Sequence, residues 1–489
     1  QKSNQQDNIL LQPATIESSS RQKDILERPN PGSVDTLLST YNDDEQQLFY
    51  IYNDPEMTQP AVVKKMKWFH HQVKQQGKRL YSDALTELRI LEALSNHTLR
   101  TRNPNKASFF VIPIAIGANL VRDQPDSLNR PFQKLVSSEL FLKTRGNRHI
   151  LVSLTENCFS TSWRKRRREK KQEQIEEEEG VTRTTSLAKL GLTRTIYRQL
   201  ENVTVANDID VHRIYDMIQN GNQRKEFQDV YQSTKPITKY GFSLGPISNP
   251  GVPYQQASWN KFRESSNYLY FEINDEDDGT TTTTTATTTS SSSNSNNNNR
   301  TKSFNETTAT NMNNSTITAT TTTNNNNNTN NNNNDIRRRS LVKILEHRAH
   351  DIIKLGFREQ HLKDKDILMN SQFCLVIRGK THYSKTLIRA IKTGCLPVIV
   401  SDLLPEVAPM FKSTLNMNDF SIFIDEKDFL NMTESSIHGL KFIAEDKLRW
   451  KINALRFAQR VVLYDHPESL FVPAFLREAG LAMRQKSAP

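Results

Sequence analysis

One segment constrains the fold of this chain more than any other: residues 371–402, SQFCLVIRGKTHYSKTLIRAIKTGCLPVIVSD. The apolar run 373–377 predicts a buried strand. Ser384 is placed to cap a following helix, and Gly394 is a residue at which such a helix naturally ends. The apolar run 396–400 predicts a second buried strand. Strand, helix and strand in this order indicate a right-handed parallel βαβ unit and hence an α/β protein.

The loop of this unit is rich in cations. Arg378 and Lys380 follow the first strand, and Lys385 opens the helix. Cations at a helix N-terminus oppose the helix dipole unless an anion is bound there. The carboxyl end of a strand is also where open α/β sheets bind ligands. The residues alone leave two interpretations open: a site for a nucleotide diphosphate, or a surface loop whose lysines reach water.

The same segment resembles the C-terminal motif of the exostosin family of glycosyltransferases. That motif runs Cys, a short apolar stretch, Arg-Gly, a Ser that opens a helix, an acidic residue, Ala-Ile, Gly-Cys-(Ile/Val)-Pro-Val-Ile and Ser-Asp. The matching residues are Cys374, Arg378, Gly379, Ser384, Ala390, Ile391, Gly394, Cys395, Pro397, Val398, Ile399, Ser401 and Asp402. The likeness continues through residues 415–429, and shorter echoes of the family occur at 50–55, 103–114 and 145–154.

The resemblance implies an α/β fold of two Rossmann-like lobes, of the GT-B type. It implies an inverting glycosyltransferase of hexosyl or glycuronosyl type, with a nucleotide-sugar donor in the C-terminal lobe and a glycan or glycoprotein acceptor in the N-terminal lobe. No cofactor or metal is expected, and Asp208 and Asp210 are interpreted as loop carboxylates. The expected donor-binding residues are Arg378, Gly379, Lys380, Ser384, Lys385, Arg389 and Asp402.

Three positions depart from the family pattern. Arg389 stands where the family has an acidic residue, and Thr386 stands where it often has a basic one. A guanidinium can only donate hydrogen bonds, whereas a carboxylate there would accept them from ribose hydroxyls. Arg148 replaces the Asp that precedes His149. His149 is therefore either a general base or acceptor-binding group, or a structural histidine at a strand end.

The chain divides by composition into five parts. Residues 1–45 are polar and read as a disordered stem, and 46–274 form an N-terminal lobe with a charged insertion at 160–180. Within this lobe, short aromatic or apolar runs predict strands at 46–55, 108–116, 149–154, 239–250 and 267–273, and the spacing of leucines in 82–94 predicts a helix. Residues 275–334 are almost all Thr, Ser and Asn, which cannot bury enough apolar surface to order the chain. Residues 335–463 form the C-terminal lobe, beginning with a helix at 335–353, and 464–489 form a tail.

The net charge of +11 raises the alternative of nucleic-acid binding. The densest basic run, RKRRREKK at 164–171, is followed after one glutamine by EQIEEEE at 173–179, so that residues 164–179 hold seven cations and six carboxylates. No aromatic residues interleave with this run, as they would in a single-strand binding surface. We expect no nucleic-acid partner. A second alternative is a glycan-binding or scaffolding protein that keeps the fold without turnover, which Arg389 and Thr386 favour.

Several features favour the secretory pathway. Asn96, Asn202 and Asn431 are N-glycosylation sequons in ordinary sequence. No apolar run approaches the roughly 18–20 residues of a membrane helix, and the chain begins at Gln rather than Met. We expect a Golgi-lumenal protein held, in its full-length form, by an N-terminal type II anchor that is absent from this chain. The pairing of its three cysteines is not determined by the sequence.

Overall fold

The computed structural model describes residues 48–73, 79–121, 125–154, 192, 194–211, 213–214, 217, 240–247, 252–273, 287–288, 317–318, 353–357, 366–378 and 384–487. The proposed stem, the charged insertion, nearly all of the Thr/Ser/Asn tract and residues 335–352 lie outside these ranges. The strands are β1 Phe49–Ile51, β2 Phe109–Ile112, β3 His149–Val152, β4 Thr204–Asn207, β5 Gly241–Ser243, β6 Asn267–Ile273, β7 Thr287–Thr288, β8 Ile317–Thr318, β9 Ile353–Phe357, β10 Ser371–Ile377, β11 Leu396–Val400 and β12 Ile422–Ile424.

Fifteen α-helices in the described residues surround these strands. They are α1 Pro55–Thr58, α2 Pro60–Val73, α3 Arg79–Ser95, α4 Ile116–Val121, α5 Asn129–Val136, α6 Glu139–Thr144, α7 Arg194–Gln199, α8 Trp259–Glu264, α9 Lys385–Thr393, α10 Leu404–Val407, α11 Met417–Phe420, α12 Glu426–Asn431, α13 Thr433–Gly439, α14 Glu445–Val462 and α15 Phe471–Ser487. None of the described helices is long and apolar enough to cross a membrane.

The strands form two five-stranded sheets, and every pairing in both is parallel. The first has the order β1-β2-β3-β4-β5, and the second the order β12-β11-β10-β6-β9. Strands β7 and β8 form a separate antiparallel pair. Parallel strands need crossover connections, which the helices supply, so the expected α/β class with parallel sheets is confirmed.

The first sheet is covered on both faces. Phe109 and Val111 of β2 pack into one apolar cluster, while Phe110 and Ile112 pack into another. Successive side chains of a strand point to opposite faces, so a strand that is buried on both sides reads as a continuous apolar run. This explains why the unbroken run around residues 109–112 predicted a central strand.

Two parts of the chain differ from the division drawn from composition. Strand β6, assigned above to the N-terminal lobe, pairs with β10 in the second sheet, where Tyr270 lies opposite Cys374. Hydrophobic pattern predicts that a strand is buried but does not specify the strand with which it pairs. Strand β4 was not predicted at all, because its four residues, TVAN, carry too short an apolar pattern.

The segment described above as a tail contains α15, a helix that packs against β4 and β5 of the first sheet. The ring of Phe475 meets that of Phe242 edge to face, with 5.5 Å between centroids. The Thr204 hydroxyl lies 3.9 Å from the sulfur of Met483. The chain thus leaves the second sheet through α14 and returns to cover the first.

Candidate functional site

The βαβ unit predicted from residues 371–402 is present as β10, α9 and β11. Ser384 caps α9, its hydroxyl oxygen accepting the N–H of Thr386 at 3.3 Å. Gly394 ends the helix in the left-handed conformation, with φ of 67°. Both boundaries were predicted from residue type alone, because an N-cap oxygen and a residue tolerant of positive φ are what helix ends require.

Three side chains converge at the carboxyl edge of the second sheet. Arg378 directly follows β10, Asp402 lies two residues after β11, and Glu426 lies two residues after β12. These three strands are adjacent and parallel, so their carboxyl ends meet at one edge. This is the edge at which open α/β sheets bind ligands.

Glu426 is joined to both of the other residues by hydrogen bonds. Arg378 Nε donates to Glu426 Oε1 at 2.6 Å, with about 8% and 7% of the two side chains exposed. The Asp402 N–H also donates to Glu426 Oε1, at 3.2 Å. In return the Glu426 N–H donates to Asp402 Oδ1 at 3.0 Å. The ends of three strands are thereby tied together around one buried ion pair.

Burial raises the pKa of Glu426 above its ordinary value, while its hydrogen bond and charge pairing with Arg378 act in the opposite direction. Glu426 was not identified from the sequence, although it lies in the stretch 415–429 that resembles the exostosin family. The available signal was its place as the second residue after a strand that borders the predicted βαβ unit.

The structure describes only part of the other residues that were predicted to bind the donor. Lys385 is the first residue of α9, and its side chain is not among the described parts. Arg389 lies on the second turn of the same helix and is half-buried. Gly379 and Lys380 lie outside the described residues.

His149 lies at the opposite end of its sheet from a ligand-binding edge. It is the first residue of β3, and it is fully buried. Its Nε2 lies 2.6 Å from the Tyr52 hydroxyl, and its Nδ1 lies 3.2 Å from the Thr144 hydroxyl. The rings of Phe110 and Phe141 each lie 4.9 Å away.

This surrounding desolvates the imidazole and lowers the pKa of His149 to about 3, so the ring is neutral near pH 7. Burial likewise raises the pKa of Tyr52 to about 12. These contacts favour the structural interpretation of His149 over the catalytic one, because a general base must reach its substrate and this ring is fully buried. The structural interpretation fits all of these contacts.

Arg148, the departure beside it, has a structural role as well. Its Nε donates to the carbonyl of Ser108 at 2.7 Å, and a terminal nitrogen donates to the carbonyl of Ala107. Its guanidinium also lies 5.2 Å from the centre of the Phe110 ring. Arg148 thus links the segment that precedes β3 to the segment that precedes β2.

A second buried carboxyl group lies at the carboxyl edge of the first sheet. Glu87 of α3 is fully buried and accepts the N–H of Gly117, in the first turn of α4, at 3.3 Å. Backbone groups of Ile116 and Leu154 also hydrogen-bond to it, and burial raises its pKa to about 8. The backbone N–H groups near the start of α4, which could otherwise bind an anion, instead hydrogen-bond to the carboxyl group of Glu87.

The second sheet also contains a disulfide that the sequence left undetermined. Cys374 of β10 and Cys395, just before β11, are bonded, with 5.8 Å between their Cα atoms, and both are fully buried. The bond joins the two strands whose carboxyl ends carry Arg378 and Asp402. In the described residues, no group of three His, Cys, Asp or Glu is arranged to hold a metal ion.

The sequons differ in accessibility. Asn96, just after α3, and Asn431, the last residue of α12, are exposed. Asn202 is half-buried, and its side-chain amide donates to the carbonyl of Arg145 at 3.4 Å. The first two asparagines are therefore the more accessible acceptors in the folded chain.

Comparison with known proteins places the resemblance in the second sheet. Residues 256–437 match the family model described as the exostosin GT47 domain. This range runs from just before β6 to α13, which agrees with the assignment of β6 to the second sheet. The exostosin resemblance inferred from residues 371–402 is confirmed.

Individual relatives match over shorter ranges. A Caenorhabditis elegans protein described as an exostosin-1 homolog is 37% identical over 71 residues, which is 14% of this chain and 17% of the relative. Two Arabidopsis thaliana proteins described as probable glycosyltransferases are 28% identical over 134 residues (27% of this chain, 26% of the relative) and 26% identical over 95 residues (19% and 18%). Each match spans about a quarter or less of the relative's length.

Proposed function

We propose that this chain, whose residues 256–437 match the exostosin GT47 domain, is a glycosyltransferase that moves a hexosyl or glycuronosyl group from a nucleotide sugar to a glycan or glycoprotein acceptor. One observation carries the proposal. Arg378 and Asp402, two residues of the family motif, both hydrogen-bond to Glu426 Oε1 at the carboxyl edge of the second sheet, the edge at which open α/β sheets bind ligands.

In this proposal the donor diphosphate lies between Arg378 and the first turn of α9. Lys380, Ser384 and Lys385 add positive charge and a capped helix start, and Gly379 lets the backbone approach the phosphates. As the glycosidic bond breaks, negative charge develops on the leaving diphosphate. Fixed cations stabilise that charge more than they stabilise the intact donor, which lowers the barrier. We propose that these side chains suffice without a metal ion or another cofactor.

The first sheet supplies the acceptor lobe of a GT-B arrangement in this proposal, and the sugar is transferred with inversion. The backbone N–H of Asp210, after β4, donates to the carbonyl of Val407 in α10 at 2.7 Å. This hydrogen bond joins the loop at the carboxyl edge of the first sheet to the helix that follows β11. An acceptor held beside this junction would lie between the two carboxyl edges.

The compartment proposed is the Golgi lumen, where an N-terminal type II anchor would hold the full-length protein. The buried Cys374–Cys395 disulfide supports an oxidising compartment, and the exposed sequons at Asn96 and Asn431 support passage through the secretory pathway. Enzymatic deglycosylation and mass spectrometry of the protein from its native host test this. Unmodified asparagines at all three sequons, together with nuclear localisation, would contradict it.

A second candidate function is glycan binding without turnover. It is favoured by Arg389, which occupies a position where the family has an acidic residue on the donor helix. Both candidates share the fold and differ in donor binding. We propose no nucleic-acid partner.

The deciding experiment incubates the purified protein with a panel of nucleotide sugars, scoring binding and hydrolysis separately, and measures binding and transfer with a panel of glycans in parallel. Hydrolysis or transfer from one donor establishes the enzyme. Binding of glycans without binding of any nucleotide sugar supports the second candidate. Failure to bind either class would remove the functional proposal and leave the fold.

A further inference from the structure

Glu426 is a buried carboxylate that the proposed chemistry does not use. It is the first residue of α12, only about 5% of it is exposed, and it forms an ion pair with Arg378. A buried ion pair is weak evidence for stability, since desolvating two charges costs about as much as their attraction returns. Its place beside the proposed donor site therefore calls for an explanation.

We propose that Glu426 is a positioning residue, which holds the Arg378 guanidinium so that its terminal nitrogens face the diphosphate of the donor. This inference rests on the proposed function and deepens it. The ion pair uses Nε of Arg378. The two terminal amino groups are then the part of the planar guanidinium that can donate to a pair of phosphate oxygens.

Asp402 completes the arrangement. Its backbone N–H donates to Glu426 Oε1 at 3.2 Å, and its carboxylate accepts the backbone N–H of Glu426 at 3.0 Å. The first bond restrains the carboxylate of Glu426, and the second fixes the start of α12 against the chain that follows β11. An unrestrained arginine would have to lose several rotatable bonds of freedom when a donor binds. A guanidinium held in place beforehand avoids that loss, which raises affinity by preorganisation.

The arrangement distinguishes the roles of the three residues. Arg378 contacts the donor, Glu426 acts through Arg378, and Asp402 acts through Glu426. Asp402 was expected to lie near the donor because it ends the family motif. Its observed hydrogen bonds point to the less direct role, since they are made to Glu426.

A double-mutant cycle tests the proposal. Isothermal titration with UDP and with GDP is carried out on the wild type, Glu426→Gln, Arg378→Ala and the double variant. We expect Glu426→Gln to weaken binding of the recognised nucleotide about tenfold. We expect the same substitution to have less than about a twofold effect when Arg378 is already alanine, because a positioning residue acts only through the group that it positions.

The matched control is Glu445→Gln, which removes an exposed carboxylate that pairs with Arg449 on the surface of α14. It should leave nucleotide affinity unchanged. If Glu426→Gln does not fold, Glu426→Asp serves instead. Aspartate keeps the negative charge, but its shorter side chain places the carboxylate farther from Arg378 Nε. This variant should therefore also weaken nucleotide binding.

The outcomes are distinct. Wild-type affinity in Glu426→Gln, or equal losses from this substitution with and without Arg378, would overturn the positioning role while leaving the proposed function in place. If the wild type binds neither UDP nor GDP nor any nucleotide sugar, the proposed function itself fails, and this inference fails with it.

Discussion

Arg378 and Glu426 lie 48 positions apart in the chain, and their side chains meet in a 2.6 Å hydrogen bond at the end of two parallel strands. Neither side chain is accessible enough for this to be a surface ion pair, for which the contribution would be small. The pair joins the segment in which the family motif begins to the stretch in which the resemblance continues.

Arg378→Ala should weaken binding of a nucleotide-diphosphate sugar by about 1.5–3 kcal/mol, the usual contribution of a charge-assisted hydrogen bond. Ser384→Ala should weaken it less, because it removes only the cap of α9. Titration calorimetry measures both. Arg378→Ala should also lower the thermal midpoint, since it leaves Glu426 buried without its cation, and adding Glu426→Gln should recover part of that loss. A donor affinity unchanged by Arg378→Ala would exclude the donor-site assignment.

Arg389→Glu should lower affinity for a uronic-acid nucleotide about tenfold while affecting a neutral hexose nucleotide much less. The reason is that a guanidinium on α9 favours an anionic sugar, whereas a carboxylate repels it. Binding of UDP-glucuronate and of UDP-glucose is compared in both proteins. The opposite result is a gain in affinity for neutral donors. It would indicate that Arg389 replaces a ribose-binding carboxylate without compensation, and it would favour the glycan-binding alternative.

His149→Phe should reduce stability by about 1–3 kcal/mol, because it leaves the buried Tyr52 hydroxyl without its 2.6 Å partner. Nucleotide affinity and turnover should not change, since His149 lies at the amino edge of its sheet. Chemical denaturation and donor binding measure the two effects. A large loss of turnover with normal stability would restore the catalytic interpretation.

The same residue predicts an acid dependence of stability. The pKa of His149 is lowered from 6.5 to about 3 on folding, so between these values the unfolded chain binds the proton and the folded chain does not. Its contribution to stability is present above about pH 6.5 and is lost as the pH falls toward 3. His149→Phe should remove this part of the dependence.

Glu87→Gln should stabilise the protein in alkaline solution. Burial raises the pKa of Glu87 from 4.5 to about 8, so the favourable contribution of the protonated group is present below pH 4.5 and is lost as the pH rises through 8. Glutamine is neutral at every pH and retains an oxygen that can accept the N–H of Gly117. Thermal midpoints from about pH 4 to 9 should diverge above about pH 5. Glu92→Gln, on an exposed position of the same helix, is the control and should follow the wild type.

Gly394→Ala should lower the free energy of unfolding by more than about 2 kcal/mol, as measured by chemical denaturation. The residue has φ of 67°, which costs a non-glycine residue about 1–2 kcal/mol. A Cβ would also lie 2.9 Å from the backbone of Ala257, which cannot easily move. Gly146→Ala is the matched control, because it also has positive φ but its nearest neighbour is the Phe141 side chain, at 3.1 Å. Equal losses in the two variants would show that the contact with Ala257 has no effect of its own.

The amino-acid sequence by itself determined the local features. It predicted β10, α9 and β11, the cap at Ser384 and the helix end at Gly394, since each depends on neighbouring residues only. It also predicted the buried strands β1, β2, β3, β5 and β6 from apolar runs, and the long helix α3 from its spacing of leucines. The resemblance to the exostosin family could be recognised for the same reason, because its motif is nearly continuous.

Only the tertiary structure decided which strands pair and which distant side chains come into contact. Hydrophobic pattern does not specify a partner strand, so β6 was assigned to the wrong sheet, and the pairing of Cys374 with Cys395 was left open. The orientation of each strand decided that His149 lies at an amino edge and Arg378 at a carboxyl edge. Glu426 was missed because its importance arises from contacts with Arg378 and Asp402, 48 and 24 residues away. Such contacts are determined by the packing of parallel strands, which no local pattern encodes.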